Sequence, residues 1–102
     1  MASRLNLHEE LCGLLGSRNV YFQPPASVKL QYPCIKYSLA GIDSKKANNQ
    51  IYNSTNRYEI IVIDRDPDSD THNKILHHFK RCSFDRPYVA DNLYHKVLTL
   101  YY

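Results

Sequence analysis

Arg57 to Asp70, RYEIIVIDRDPDSD, constrains this chain more than any other stretch. Its first half alternates: Tyr58, Ile60 and Val62 point one way, while Ile61 and Ile63 point the other. Both faces are therefore apolar near the strand's end, and a strand with two apolar faces belongs inside a sheet. Pro67 cannot donate to a ladder and stops it. The second half sets an acid at every other position, Asp64, Asp66, Asp68 and Asp70. These acids are either a cation site or the turn and cap that lead a strand into a helix.

The cation reading has two forms. An EF-hand loop counted from Asp64 needs glycine sixth and glutamate twelfth, but Ser69 and Ile75 stand there. A magnesium-dependent nuclease built on Asp64, Asp66 and His72 needs a further acid and a lysine converging from another element. Glu59 shares the strand but faces with Ile61 and Ile63, away from Asp64. The expectation is that the acids form turns, cap the following helix and leave a negative surface patch.

The flanking segments give the element order. Leu7, Leu11, Leu14 and Leu15 form one stripe of a helix over 6–15, with Asn6 as N-cap, Glu9 at the third helical position and Gly16 closing it. Val20 to Phe22 is a short strand stopped by Pro24-Pro25. Cys34 to Leu39 alternates, and Gly41 marks its end or a bulge. Residues 43–56, DSKKANNQIYNSTN, have little to bury and read as a long polar hairpin loop or arm. Residues 71–81 form a second helix, capped by Ser69 or Asp70, with Lys80 and Arg81 at its negative end. Cys82–Val89 and Leu93–Tyr101 are strands around an Ala90-Asp91-Asn92 turn. This predicts one α+β domain over 1–102: two helices on one face of a mainly antiparallel sheet of four to five strands, with a protruding arm at 43–56.

Composition narrows the function. With 102 residues the chain holds one domain, of radius of gyration roughly 13 Å if compact. A net charge of +3, with basic residues scattered, does not argue for nucleic-acid binding. No apolar run is long enough to span a membrane, and MASRLNLHEE turns acidic where a leader needs an apolar stretch, so a cytosolic origin is expected. Cys12, Cys34 and Cys82 are odd in number and lack C-x-x-C spacing, which suggests buried thiols rather than a disulfide or zinc framework. His8, His72, His77, His78 and His95 show no H-E-x-x-H, and G-x-S-x-G and phosphate-cradling glycines are absent. Nine tyrosines against no tryptophan suit half-exposed strands and interfaces. A binding or assembly role without catalysis or cofactor is expected. An adaptor docking a host protein through a tyrosine-rich edge is a further alternative.

Taken together, LHEELCGLLGSRNVYFQPP, YPCIKYSLAGID, RYEIIVIDRDPDS and CSFDRPYVADNLYHKVLTLYY resemble the small neck and tail-completion proteins of long-tailed bacteriophages, often labelled minor capsid or tail-terminator proteins. The resemblance covers nearly the whole chain and rests on scaffold residues. It implies an α+β subunit of a homo-oligomeric ring, commonly a hexamer. That ring ends the tail tube and faces the head connector in the virion, after synthesis in the host cytoplasm. A neck subunit that joins head to tail is the alternative position. On this resemblance Ile51 and Tyr52 anchor the arm on a neighbour or the tube, and Lys45 and Lys46 face the lumen through which genome DNA passes. Asp64, Asp66 and Asp68 meet Arg57, Lys80 and Arg81 between like subunits, with Tyr101 and Tyr102 at the interface.

Overall fold

Val62 is paired with Ile35 on one side and Lys96 on the other, so its strand lies in the middle of the sheet, as its two apolar faces require. This computed structural model describes residues 4–47 and 50–102, with side chains for these except 43–47 and 50–54. In chain order the elements are α1 (Arg4–Leu15), β1 (Val20–Phe22), β2 (Cys34–Ala47), β3 (Gln50–Asp64), α2 (Thr71–His78), β4 (Cys82–Ala90) and β5 (Leu93–Tyr101). The five strands form one sheet in the order β1-β2-β3-β5-β4. β1 pairs with β2 in parallel, and the other three pairings are antiparallel.

Alternation on the central strands builds the core. Tyr58, Ile60 and Val62 are buried on one face of β3, aligned with Ile35 and Tyr37 of β2 and Leu98 and Leu100 of β5. Leu7, Leu11 and Cys12 of α1 and Ile75 of α2 close over them, so both helices cover the same face. Each large aliphatic side chain buried here contributes about 1.5–3 kcal/mol of transfer free energy. On the second face Cys34, Ile63 and Val97 are also buried. The segment after β1 folds back across this face: Gln23 and Pro24 stand against Lys36, Ser38, Glu59 and Ile61 around a groove of about 310 Å³.

Local departures from the expected elements have physical causes. α1 begins at Arg4, so Asn6 lies inside the helix and is not its cap, and Glu9 is not the third residue. The extra turn is held by tertiary contacts: the Arg4 guanidinium stacks 4.4 Å over Phe22 and donates to the Tyr37 hydroxyl at 3.2 Å. Gly16 ends the helix at φ +84, its N–H donating to the Cys12 carbonyl. α2 stops at His78, because Phe79 turns extended and packs edge-on against Tyr102. Lys80 and Arg81 therefore lie beyond the helix. Asp70 occupies the N-cap position, yet its carboxylate accepts from the Asn73 side chain at 2.7 Å and not from a backbone N–H.

The polar stretch expected to be a long hairpin loop or arm is a ribbon of paired strand. β2 and β3 stay paired antiparallel as far as Ala47 opposite Gln50, with one register shift between Lys45 and Lys46. The last pairing of β3 with β5 is Arg57 with Tyr101, so beyond that point no third strand pairs with the ribbon among the described residues. Ladder hydrogen bonds come from backbone alone, and a two-stranded ribbon wet on both faces needs no apolar alternation. The ribbon stretches the molecule to a radius of gyration of 14.7 Å, above the compact value. At its base the register shifts between Leu39 and Gly41, a bulge. A Cβ on Gly41 would lie 2.6 Å from the Arg57 guanidinium, so the glycine makes room for that side chain.

β4 is an edge strand, exposed along most of its length. It carries Pro87 and a register shift between Phe84 and Arg86, both of which interrupt an open ladder. Asp91 and Asn92 join β4 to β5 in a two-residue turn with φ +53 and +61, the left-handed conformation that these residues tolerate.

Candidate assembly interface

The acidic segment folds itself. Asp64 Oδ1 accepts the N–H of Asp66 at 2.9 Å, and Asp66 Oδ1 accepts the N–H of Asp68 at 2.9 Å. Asp64 and Asp66 thus each bend the chain by bonding two residues ahead. Lys96 Nζ donates to the Ser69 carbonyl at 2.9 Å and pins the loop to β5. Among the described residues, no three His, Cys, Asp or Glu side chains are placed to share an ion.

The histidines are dispersed. His72 lies 6.0 Å from Phe84, whereas His95 stacks on Tyr88 at 4.5 Å and 12°. Phe84 opposes Leu98 on the helix-covered face and Tyr88 opposes His95 on the other, so His72 and His95 do not meet. His78 Nε2 contacts Glu10 Oε1 at 3.0 Å. Burial holds His72 below the usual imidazole range, with Lys96 adding to the effect. All three cysteines are free, and burial pushes the Cys34 and Cys82 thiols up to about 11. Neither is a thiolate nucleophile near neutral pH.

The residues nominated from sequence fall into two groups at opposite ends of β3. Asp64, Asp66 and Asp68 stand at its C-terminal end, beside the β4–β5 turn. Arg57 is seven residues back along the strand, roughly 23 Å at about 3.3 Å per residue. Lys80 and Arg81 share that far end, since the Arg81 carbonyl accepts the Tyr101 N–H at 2.9 Å and the Arg81 guanidinium sits 5.0 Å over the Tyr101 ring. Tyr102 is also there, its N–H donating to the Asn56 carbonyl at 3.0 Å. The acids and bases are thus not joined within one molecule. The side chains of Lys45, Lys46, Ile51 and Tyr52 lie outside the described residues.

Sequence reasoning missed the exposed apolar groups at the two ends. At the ribbon base Ile42 is 60% exposed, with Leu39 also exposed nearby. At the β4–β5 hairpin Val89 is 64% exposed, with Tyr88 and Tyr94 exposed beside it. Pro67, Pro87, Tyr88, Val89, Tyr94 and Lys96 line a cleft of about 380 Å³. The signal was the position of Ile42 at the start of a polar stretch and of Val89 next to a turn.

No protein-family model matches this chain, and no curated protein matches it.

Proposed function

We propose that this chain is a structural subunit of a long-tailed phage neck. It assembles into a ring, a hexamer, that ends the tail tube and offers a surface to the head connector, with genome DNA passing through the lumen of the virion. The reading assigns no chemical step, metal or cofactor to the chain. The single observation that carries it is the β2–β3 ribbon leaving the sheet with no third strand paired to it among the described residues. A lone two-stranded hairpin is marginal in water, so a ribbon of this length suits a role against a neighbouring subunit or a tube. The opposite charge at the two ends of β3 supports the same reading, because a ring joins unlike patches of identical subunits. The resemblance to neck and tail-completion proteins supplies the place in the particle.

Electron microscopy of particles lacking the protein tests the proposal. Overlong or polydisperse tails support the terminator position. Tails of normal length with unattached heads move the chain to the joining position. Normal, infectious particles would rule out both.

A further inference from the structure

We infer that the helix-free face of the sheet binds the phosphate backbone of duplex DNA, which rests on the ring reading and names the surface that meets the genome. Basic residues scattered in sequence are gathered there by the strand register, because residues paired across neighbouring strands share a face. Arg57 is paired with Tyr101, and the Arg81 guanidinium sits 5.0 Å over that ring, so two arginines flank one tyrosine at this end of the sheet. Further along, Lys36 is paired with Ile61, Ile61 with Val97 and Val97 with Arg86, which sets a cation at each margin. Arg57 and Ile61 place these two rows four residues apart on β3, roughly 13 Å at about 3.3 Å per residue. Between them Ser38, Glu59, Thr99 and Ser83 form a row of three hydroxyls and one carboxylate. Both helices cover the opposite face. The segment after β1 narrows this one beside β2 and leaves Arg81, Ser83 and Arg86 exposed. Four cations thus stand against Glu59 and against Asp85, which holds Arg86 at 2.8 Å, in a chain whose whole net charge is +3. Tyr101 lies beneath Arg81, and Tyr88 is stacked on His95 at 4.5 Å and 12°. These rings brace side chains instead of leaving a bare platform for an unpaired base, so the face suits phosphates of a duplex more than a single strand. Arginine forks donate two parallel bonds to a phosphate, and such contacts carry no sequence preference, as sliding of any genome past the face requires. Lys80 lies outside these rows and is left to meet the acids of a neighbouring subunit.

Fluorescence anisotropy of the full chain with a labelled duplex of random sequence, across a salt series, tests this. Four phosphate contacts give a slope of about −3.6 in log affinity against log salt, roughly a hundredfold loss between about 50 and 200 mM. Arg81→Gln and Arg86→Gln, both at exposed positions, are each expected to reduce that slope by about one and to weaken binding several-fold. Lys74→Gln removes the same charge from the exposed side of α2 and is expected to change neither. Asp85→Asn frees the Arg86 guanidinium and is expected to bind the duplex more tightly, a gain that a misfolded chain cannot give. A wild type that leaves the duplex unbound at low salt, or a loss in Lys74→Gln equal to that of the face variants, would overturn the inference. Weakened self-association of DNA-free Arg81→Gln and Arg86→Gln with unchanged duplex affinity would give the face to a second copy instead. Poly-glutamate that displaces the duplex as well as unlabelled duplex does, at equal charge, would give it to an acidic protein. Each of these outcomes leaves the ring reading to the particle microscopy, which does not depend on DNA binding by the isolated chain.

Discussion

Tyr102 Oη donates a 2.6 Å hydrogen bond to Glu10 Oε2, joining residues 92 positions apart in sequence. The other Glu10 oxygen contacts His78 Nε2, so one carboxylate ties α1, α2 and the end of β5 together. The Tyr102 hydroxyl, followed by His78, holds the Glu10 carboxyl below its ordinary range. Burial, followed by the same hydrogen bond, pushes the Tyr102 phenol up to about 12. Tyr102→Phe is expected to lower stability by about 1 kcal/mol, read as a lower urea midpoint. The Glu10 contribution is present above the ordinary carboxylate range and is lost as pH falls through the lowered folded value. Acid unfolding of Tyr102→Phe should therefore depend less on pH in that window than that of wild type.

His8 gives a second pH effect with a different onset. The Arg4 guanidinium donates to the Tyr37 oxygen, and the Tyr37 hydroxyl shares a hydrogen bond with His8 Nδ1 at 2.9 Å. Burial, followed by the nearby Arg4 charge, holds His8 below the usual imidazole range. Its neutral form favours folding, so this stability is full above about 6.5 and declines as pH falls through the lowered folded value. Urea midpoints measured across that range should fall with acidity in wild type and fall less in His8→Gln. His72 shifts in the same direction and will leave a residual slope.

Asp66 separates geometry from charge. Asp66→Asn keeps a side-chain oxygen to accept the Asp68 N–H, whereas Asp66→Ala removes it. The alanine variant is expected to lose about 0.5–1.5 kcal/mol of stability and the asparagine variant much less. Both remove the negative charge, so both should weaken assembly alike. Thermal melts beside sedimentation will read the two effects.

Gly41 and Arg57 are coupled through space. Gly41→Ala sets a methyl 2.6 Å from Arg57 Nη2, the far end of a flexible side chain that can move aside. A cost within about 0.5–1 kcal/mol is expected, and it should vanish in an Arg57→Ala background. A double-mutant cycle on urea midpoints measures this directly.

The central strand, both helices and the β4–β5 turn were legible because each is a local pattern. Two-sided apolarity set β3, a leucine stripe set α1, and Asp91-Asn92 set the turn. Three things were not. The start of α1 depends on Arg4 reaching Phe22 and Tyr37, a contact no local spacing encodes. The end of α2 depends on Phe79 packing on Tyr102. The strand character of 43–47 and 50–56 depends on backbone pairing, which polar side chains neither reveal nor oppose. Of the candidate interface, the charges were visible as residue types, but their placement at opposite ends of β3 required the pairing register. The exposure of Ile42 and Val89 required the folded structure, since residue type alone does not show which strand residues the helices leave uncovered.

Pro87 and the bulge beside Arg86 have a further effect. They deny an incoming strand a continuous row of donors and acceptors along β4, so amyloid-like zippering of one sheet onto the next is blocked at that border. At that border, copies of this protein crowded together meet through side-chain surfaces of fixed angle, and such contacts can come to a finite count where strand stacking would run on without limit.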